Sequence, residues 1–388
     1  MPVKVLVVHN AYVYRGGEDA VVESEVALLR RYGHEVELYQ RNNIEIPDIG
    51  SIRAATQTLW STRTSREIEA IVSSFRPTII HAHNTFPLVS PSLYWAAERT
   101  NVPVVQTLHN FRLLCAQSTF LRNGQVCEDC LGSIPWRGVV RRCYRASIAQ
   151  SSVLVGMLAL HRALGTFRTK ISRFIALNEF CRRKFIEGGF PSNRISVKPN
   201  FVDIMGPPPS GTRAGGLYVG RLSAEKGIGV LVEAAERLPN GFTVAVYGSG
   251  PEQDKAMASP NLAFYGWRGA DELEAAMRNA EFLILPSLCY ENSPRALIEA
   301  FANGLPVIAS RLGALAELVE DGKTGLLFEP GSPGDLTKKM LWASSHPDEM
   351  HRMGRSARTE YESKYSPERN YKQLISIYTD VLAARCEG

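Results

Sequence analysis

The feature that most constrains this chain is an alternation, sustained over most of its 388 residues, between short apolar runs of strand length and amphipathic stretches of helical period. In the first half the runs are Lys4–Val8, Glu35–Tyr39, Thr78–His81, Val104–Leu108, Phe174–Leu177 and Ile195–Lys198, with helix-period stretches such as Asp19–Tyr32 and Arg66–Phe75 between them. A strand separated from the next by a helix cannot close a tight hairpin. It must make a crossover, which implies parallel strands in βα units. The segment Met205–Gly216, rich in Pro and Gly, supports neither a helix nor a central strand and reads as a linker. The alternation then restarts with Leu217–Gly220, Thr243–Tyr247, Leu262–Tyr265, Phe282–Leu285 and Val307–Ser310, and a helical region follows over about 335–385.

The expected fold class is α/β: two Rossmann-like, doubly wound parallel-sheet domains facing a central cleft. The first domain spans 1–204, with a Cys-containing insert at about 111–145. The linker is 205–216, the second domain 217–360, and a final helix at 361–388 is expected to pack back on the first. Ligands bind such sheets at the carboxyl ends of the strands, so candidate residues are sought there.

Composition narrows the class. At 45% hydrophobic and 21% charged the chain is globular rather than disordered. A net charge of +5 permits an anionic substrate or membrane surface without calling for nucleic acid, and the aromatics are not interleaved as a single-strand track requires. Met1–Val8 reads as a strand, not a basic leader. The longest apolar run, Val153–Leu160, is well short of the roughly 20 residues of a membrane span. The expected location is the cytoplasm, with peripheral contact at the inner face of the membrane as an option. Seven cysteines, an odd number, argue against a disulfide framework.

The run Leu217–Gly220 leads into Arg221-Leu-Ser-Ala-Glu-Lys226-Gly227 and then a helix. Two cations leaving a strand end and entering a helix start suit a pyrophosphate. Arg offers a planar fork, Lys a mobile point charge, and the helix its unpaired N–H groups. Downstream, Phe282–Leu285 leads to Glu291 and, after seven intervening residues, Glu299. Pro294 between them suits a helix start, placing Glu291 on a loop and Glu299 on the helix. One carboxylate can accept hydrogen bonds from both vicinal hydroxyls of a ribose. Taken singly, these four residues are equally consistent with solvated loop charges.

Taken together, Gly220-Arg221-Leu-Ser-Ala-Glu-Lys226-Gly227 and the Glu291/Glu299 pair resemble the retaining glycosyltransferases of family 4 (glycosyl transferases group 1), which have the GT-B fold. The resemblance implies that Arg221 and Lys226 bind the donor diphosphate, that Glu291 contacts the transferred sugar, and that Glu299 contacts the ribose. It places Asn292, Ser293, Ala296 and Leu297 at the donor, and Gly248, Gly250, Trp267 and Arg268 near the base. Gly16 and Gly17 would lie near the donor phosphate or the acceptor, although Glu18 and Asp19 beside them satisfy the helix dipole and repel phosphate. His109, after Val104–Leu108, would touch the transferred sugar as a catalytic residue; His81 and His83 are ambiguous. The implied donor is a UDP- or GDP-linked hexose and the implied acceptor a lipid-linked or oligosaccharide precursor in polysaccharide or cell-envelope synthesis. No cofactor is required for catalysis, and no convincing Asp-x-Asp pair stands ready for Mg²⁺. The rival readings are a nucleotide-sugar epimerase or hydrolase and a degenerate sugar-nucleotide-binding subunit. A dinucleotide oxidoreductase is weaker, because the first loop is not G-x-G-x-x-G.

Two features are not absorbed by the resemblance. Cys115, Cys127, Cys130 and Cys143 contain one Cys-x-x-Cys knuckle flanked by lone cysteines, a candidate structural zinc site or simply packed thiols. Trp136 to Lys184 carries eleven Lys or Arg against one acid, Glu179, around an apolar stretch at Ile148–Leu164. That is either a platform for an anionic lipid or a solvated face over a core helix.

Overall fold

The computed structural model describes residues 3–204, 206–208, 211 and 213–386. Met205, Pro209, Ser210 and Thr212 of the expected linker, and Met1, Pro2, Glu387 and Gly388 at the ends, lie outside the described residues. The chain forms two compact units, one of Met1–Thr119, Glu128–Asn200 and Pro367–Gly388, the other of Phe120–Cys127 and Phe201–Ser366.

In chain order the strands are β1 Lys4–Ala11, β2 Glu35–Asn42, β3 Ile79–Ala82, β4 Val104–Leu108, β5 Leu121–Arg122, β6 Gln125–Val126, β7 Arg173–Ala176 and β8 Ile195–Val197, then β9 Gly216–Val219, β10 Val244–Tyr247, β11 Leu262–Gly266, β12 Phe282–Leu285, β13 Val307–Ser310 and β14 Gly325–Phe328. The first unit's sheet has the order β2-β1-β3-β4-β7-β8, parallel throughout. Val5 to Ala11 of β1 are all buried, as a central strand covered on both faces requires, whereas the edge strand β2 alternates in exposure. Polar caps start several helices: Ser61 accepts from Thr64 N, Ser147 from Gln150 N and Asn178 from Cys181 N. The last helix, Pro367–Cys386, presents Leu374, Ile377, Tyr378 and Val381, a 3.6-period stripe, to Val5, Val7, Val22, Val26 and Leu29. It completes this unit's core.

The second unit's sheet is also parallel, ordered β11-β10-β9-β12-β13-β14. Residues alternate between its two faces. Tyr218, Phe282 and Ile284 pack in one core with the helices Ile228–Ala235 and Pro333–Ser345, while Leu217, Leu283 and Leu285 pack in another with Arg295–Ala302. This two-sided burial is the doubly wound arrangement.

Three details depart from the sequence reading. Gly216, read as the end of the linker, opens β9 opposite Phe282, where a Cβ would come within 2.8 Å of the Phe282 ring. The strand β14 was not anticipated; it is four residues long and sits at the sheet edge. The β5–β6 hairpin was also missed, although Asn123 and Gly124, both at positive φ, form the tight turn that an Asn-Gly pair encodes.

Leu374 is fully buried between the last helix and β1. Leu374→Ala is therefore expected to cost about 2–5 kcal/mol of unfolding free energy. Chemical denaturation measures it, and amide exchange should accelerate in β1 and β3 but not in β9 and β12. A stability equal to the parent's would remove the helix from this core.

Candidate active site

In the second unit the chain steps from β9 outward to β10 and β11, then returns to place β12 on the other side of β9. The connections after β9 and β12 therefore leave in opposite directions, which opens a crevice at the carboxyl ends of these two strands. Both sequence motifs fall there. Arg221 lies two residues after β9 and Lys226 ends a 3₁₀ turn at Ala224–Lys226; Glu291 lies on the loop after β12 and Glu299 on the helix that follows.

The structure joins two of them directly. The Lys226 Nζ donates to Glu291 Oε1 at 2.6 Å, and the Ser287 hydroxyl donates to the same oxygen at 2.7 Å. Burial would raise the Glu291 carboxyl, but the Lys226 ammonium and these hydrogen bonds outweigh it and hold the group below the usual carboxylate range. Lys226 is raised: burial opposes its charge, and the Glu291 carboxylate more than compensates. The Lys226 side chain still keeps 33% of its exposure, so a ligand can reach it. Arg221 is exposed; its carbonyl accepts from Tyr218 Oη at 2.8 Å, and among the described residues no carboxylate engages its guanidinium.

The glycines here have a packing duty. A Cβ on Gly248, at φ +140°, would lie 1.9 Å from the Gly220 carbonyl oxygen, and one on Gly250 would lie 2.3 Å from that of Leu222. A Cβ on Gly227, at φ +73°, would lie 1.8 Å from the Pro286 carbonyl oxygen. Only glycine lets the loops after β9, β10 and β12 lie against one another. Hydrogen bonds from Gly220 N to Tyr247 O and from Leu222 N to Ser249 O hold the first two together.

The remaining donor-side candidates are dispersed. Glu299 accepts from Arg295 Nε at 2.6 Å on the same helix face. Asn292 is buried, Ser293 and Ala296 are half-buried, and Trp267 is 71% exposed after β11, beside Arg268. The Leu297 side chain is fully buried in the core, and its amide donates to Pro294 O.

In the first unit, Gly16 caps the helix Gly17–Arg31 and its amide donates to Asp19 Oδ2 at 2.7 Å. Asp19 Oδ1 receives His9 Nε2 at 2.8 Å and Tyr12 N at 3.3 Å. Burial raises this carboxyl, but His9 and the backbone donors win and keep it low. Glu18 in turn accepts from Asn110 Nδ2 and from Tyr12 Oη. This helix start is thus already filled by the protein's own carboxylates, and a phosphate beside Gly16 and Gly17 would face Asp19.

His109 stands just past β4, half-buried, with its Nε2 at 2.8 Å from His83 Nδ1. Sequence reasoning missed what lies behind it. Glu25, His81, His83 and Lys198 form a buried cluster, with Lys198 Nζ 3.0 Å from Glu25 Oε2. His83 is pushed down to about 3 by burial and by His81. The only partial signal in the sequence is His-Ala-His at a strand end; Glu25 and Lys198 stand 173 positions apart.

Of the cysteines, Cys115 is buried and Cys127, Cys130 and Cys143 are half-buried. Among the described residues the one group with metal-capable geometry is Glu25, His81 and His83, which contains no cysteine.

Comparison with known proteins follows the same division of the chain. Residues 15–205 match the family model described as Glycosyltransferase Family 4, and residues 214–346 that of Glycosyl transferases group 1. A glycosyltransferase of Methanocaldococcus jannaschii is 30% identical over 172 residues, 43% of this chain and 48% of that protein. The D-inositol 3-phosphate glycosyltransferase of Corynebacterium efficiens is 33% identical over 187 residues, 44% of each. The chain thus spans less than half the length of these relatives. The Anabaena HepE protein, solved with UDP, superposes with a TM-score of 0.68 at 17% identity, covering 97% of this chain and all of that one. That likeness establishes the fold as GT-B.

The buried histidines set an acid limit. The unfolded chain binds a proton at His83 near its ordinary pKa of about 6.5, whereas the folded chain resists until about 3. The stability this group contributes is present above about 6.5 and is lost as pH falls toward about 3, with Glu25, Asp19 and Glu291 adding losses in the carboxylate range. Urea midpoints should fall continuously below pH 6.5, and His83→Asn should flatten the part above the carboxylate range. An undiminished slope in that variant would assign the loss elsewhere.

Proposed function

This chain belongs to the group 1 glycosyltransferases of family 4, and on that premise we propose that it transfers a hexose, with retention, from a nucleoside-diphosphate donor to a glycan or lipid-linked acceptor. The observation that carries the reading is the Lys226–Glu291 contact beside Arg221, at the point where the second sheet reverses its strand order. Breaking the bond between sugar and diphosphate sheds negative charge onto the departing phosphate. The Arg221 fork and the Lys226 ammonium are placed to take up that charge in a partly dehydrated crevice, where it counts for most. Glu291 orients Lys226 through their contact and, once phosphate oxygens engage the ammonium, is released toward sugar hydroxyls.

Glu299 is assigned the ribose and His109 a hydrogen bond to the transferred sugar. Asn292, Ser293 and Ala296 are assigned the donor, and Gly248, Gly250, Trp267 and Arg268 the walls around the base. Retention follows if the acceptor hydroxyl attacks the face that the diphosphate leaves and passes its proton to the departing oxygen. A uridine donor is supported by the Anabaena HepE protein, which has also been solved with UDP-glucose. Arg221→Ala or Lys226→Ala is expected to lower kcat by about 10²-fold or more. Glu299→Gln should chiefly raise the donor KM. Transfer assays with UDP- and GDP-hexoses measure both, and NMR of the product gives the anomer. A loss under threefold would remove the cation from its role, and equal nucleotide release without any acceptor would favour a hydrolase or epimerase.

The acceptor side is assigned to an anionic membrane surface. Ile134, Trp136, Val140 and Ile148 are exposed large apolar residues, interspersed with Arg137, Arg141, Arg142 and Arg145. Basic residues close to an anionic surface contribute about 1 kcal/mol each. No helix among the described residues is long and apolar enough to cross a membrane. The protein should float with phosphatidylglycerol vesicles and not with phosphatidylcholine vesicles, and Arg142→Glu with Arg145→Glu should abolish flotation. Equal recovery with both vesicle types would remove this assignment.

A further inference from the structure

The buried cluster behind His109 determines which nitrogen of that residue faces outward. Glu25, 2% exposed, gives one oxygen to Lys198 Nζ at 3.0 Å, and Lys198 also donates to Asn370 Oδ1 at 3.1 Å. The other oxygen, Oε1, lies 2.9 Å from His81 Nδ1 and 3.3 Å from His83 Nε2. Tyr378 Oη sits 2.7 Å from His81 Nδ1, and Thr107 Oγ1 sits 2.8 Å from His81 Nε2. His83 Nδ1 then meets His109 Nε2 at 2.8 Å. His9 completes the surroundings, its ring 6.5 Å from that of His83.

The charge states are constrained. Burial would raise Glu25, but Lys198 and the two histidines hold it well below the usual carboxylate range, so it is an anion and accepts only. His83 and His109 are both lowered, by burial first and by neighbouring histidines next, and are neutral near pH 7. A neutral imidazole carries one N–H. A lone pair on His83 Nε2 would face the Glu25 carboxylate oxygen at 3.3 Å in a buried site, which is costly; an N–H there turns that repulsion into attraction, at a geometry short of an aligned hydrogen bond. His83 Nδ1 must then accept, and the group within reach to donate is His109 Nε2. Nδ1 of His109 is left as a lone pair, and no donor from the described residues reaches it.

We propose that Glu25, acting through His83, fixes His109 in its Nε2–H tautomer, so that His109 Nδ1 accepts a hydrogen bond from a ligand hydroxyl and cannot donate to a phosphate or carbonyl oxygen. Glu25 and His83 are positioning residues, and the assignment of the hydroxyl to a sugar rests on the proposed glycosyl transfer. The same three side chains, Glu25, His81 and His83, have ligand atoms within 4.8 Å of one another. A cation there would sit against the Lys198 ammonium, and both His81 nitrogens already face hydroxyls, so the cluster serves protons rather than a metal.

The test is ¹⁵N NMR of the full chain labelled at histidine, with His109 and His83 assigned by loss of signal in His109→Asn and His83→Asn. The expected spectrum shows unprotonated Nδ1 and protonated Nε2 for both residues, in the wild type without ligand. That readout does not depend on sugar transfer, so its failure and that of the proposed function are separable. Nδ1–H on His109, or averaging between tautomers, overturns the proposal, as does stoichiometric uptake of Zn²⁺ or Mn²⁺ that shifts the His81 and His83 signals. In Glu25→Gln the amide oxygen must serve Lys198, which turns the NH₂ toward His83 and should invert both tautomers. That variant should lose about tenfold in kcat, with donor KM within twofold, the size of one misdirected hydrogen bond. Retention of the wild-type tautomers in a folded Glu25→Gln protein overturns the relay. If that variant does not fold, the wild-type spectrum alone decides.

Discussion

The reversal of strand order beside β9 is the constraint on which the second unit depends. Here β9 is flanked by β10 on one side and β12 on the other, so the connections after β9 and after β12 run in opposite directions and open a crevice at the carboxyl ends of these two strands. Those ends must be satisfied by loops that approach closely. Gly248, Gly250 and Gly227 are the positions where a side chain would collide with a neighbouring carbonyl. The same closeness brings Lys226 from one loop to Glu291 on the other. Their pairing follows from the topology, and it leaves the pair partly open to solvent, so a polyanion can compete for the lysine.

The first unit shares the architecture and resolves its strand ends differently. Its sheet changes direction between β1 and β3, yet the side chains gathered there are Glu25, Lys198, His81 and His83, all buried, together with Asp19 sealing the start of the first helix. Taking either charge of the Glu25–Lys198 pair away would strand the other without water, a cost of about 3–5 kcal/mol in comparable buried pairs. The pair also joins helix Gly17–Arg31 to the segment after β8 and, through Asn370 and Tyr378, to the last helix. One unit keeps its cations reachable and the other spends its charges on holding itself together.

How much of this was legible in the sequence varies with the range of the interaction. Val104–Leu108, Phe282–Leu285 and Val307–Ser310 coincide with β4, β12 and β13, because buried strands read as short, largely apolar runs of strand length. The two-residue strands of the hairpin carry too little of that signal, whereas β14, a buried Gly-Leu-Leu-Phe run of the same length as β12 and β13, was passed over between the loop after β13 and the helical region that follows it. Arg221, Lys226, Glu291 and Glu299 could be nominated because residue type and spacing beside a strand suggest a local geometry. Leu297 came from the same motif window, which does not show that its side chain packs into the core.

The positions that set the state of a site residue behave differently from those that touch its ligand. His109 could be picked out from its place at a strand end, but its protonation pattern is fixed by Glu25 through His83, and Glu25 is in turn held by Lys198, 173 positions away. Tyr378, which meets His81, is 297 positions from it. No local pattern connects such residues; only the parallel sheet, by bringing the ends of β1, β3 and β4 side by side, does so. Chemistry that depends on direct contact can thus be read along the chain. Chemistry that depends on which atom carries the proton requires the fold.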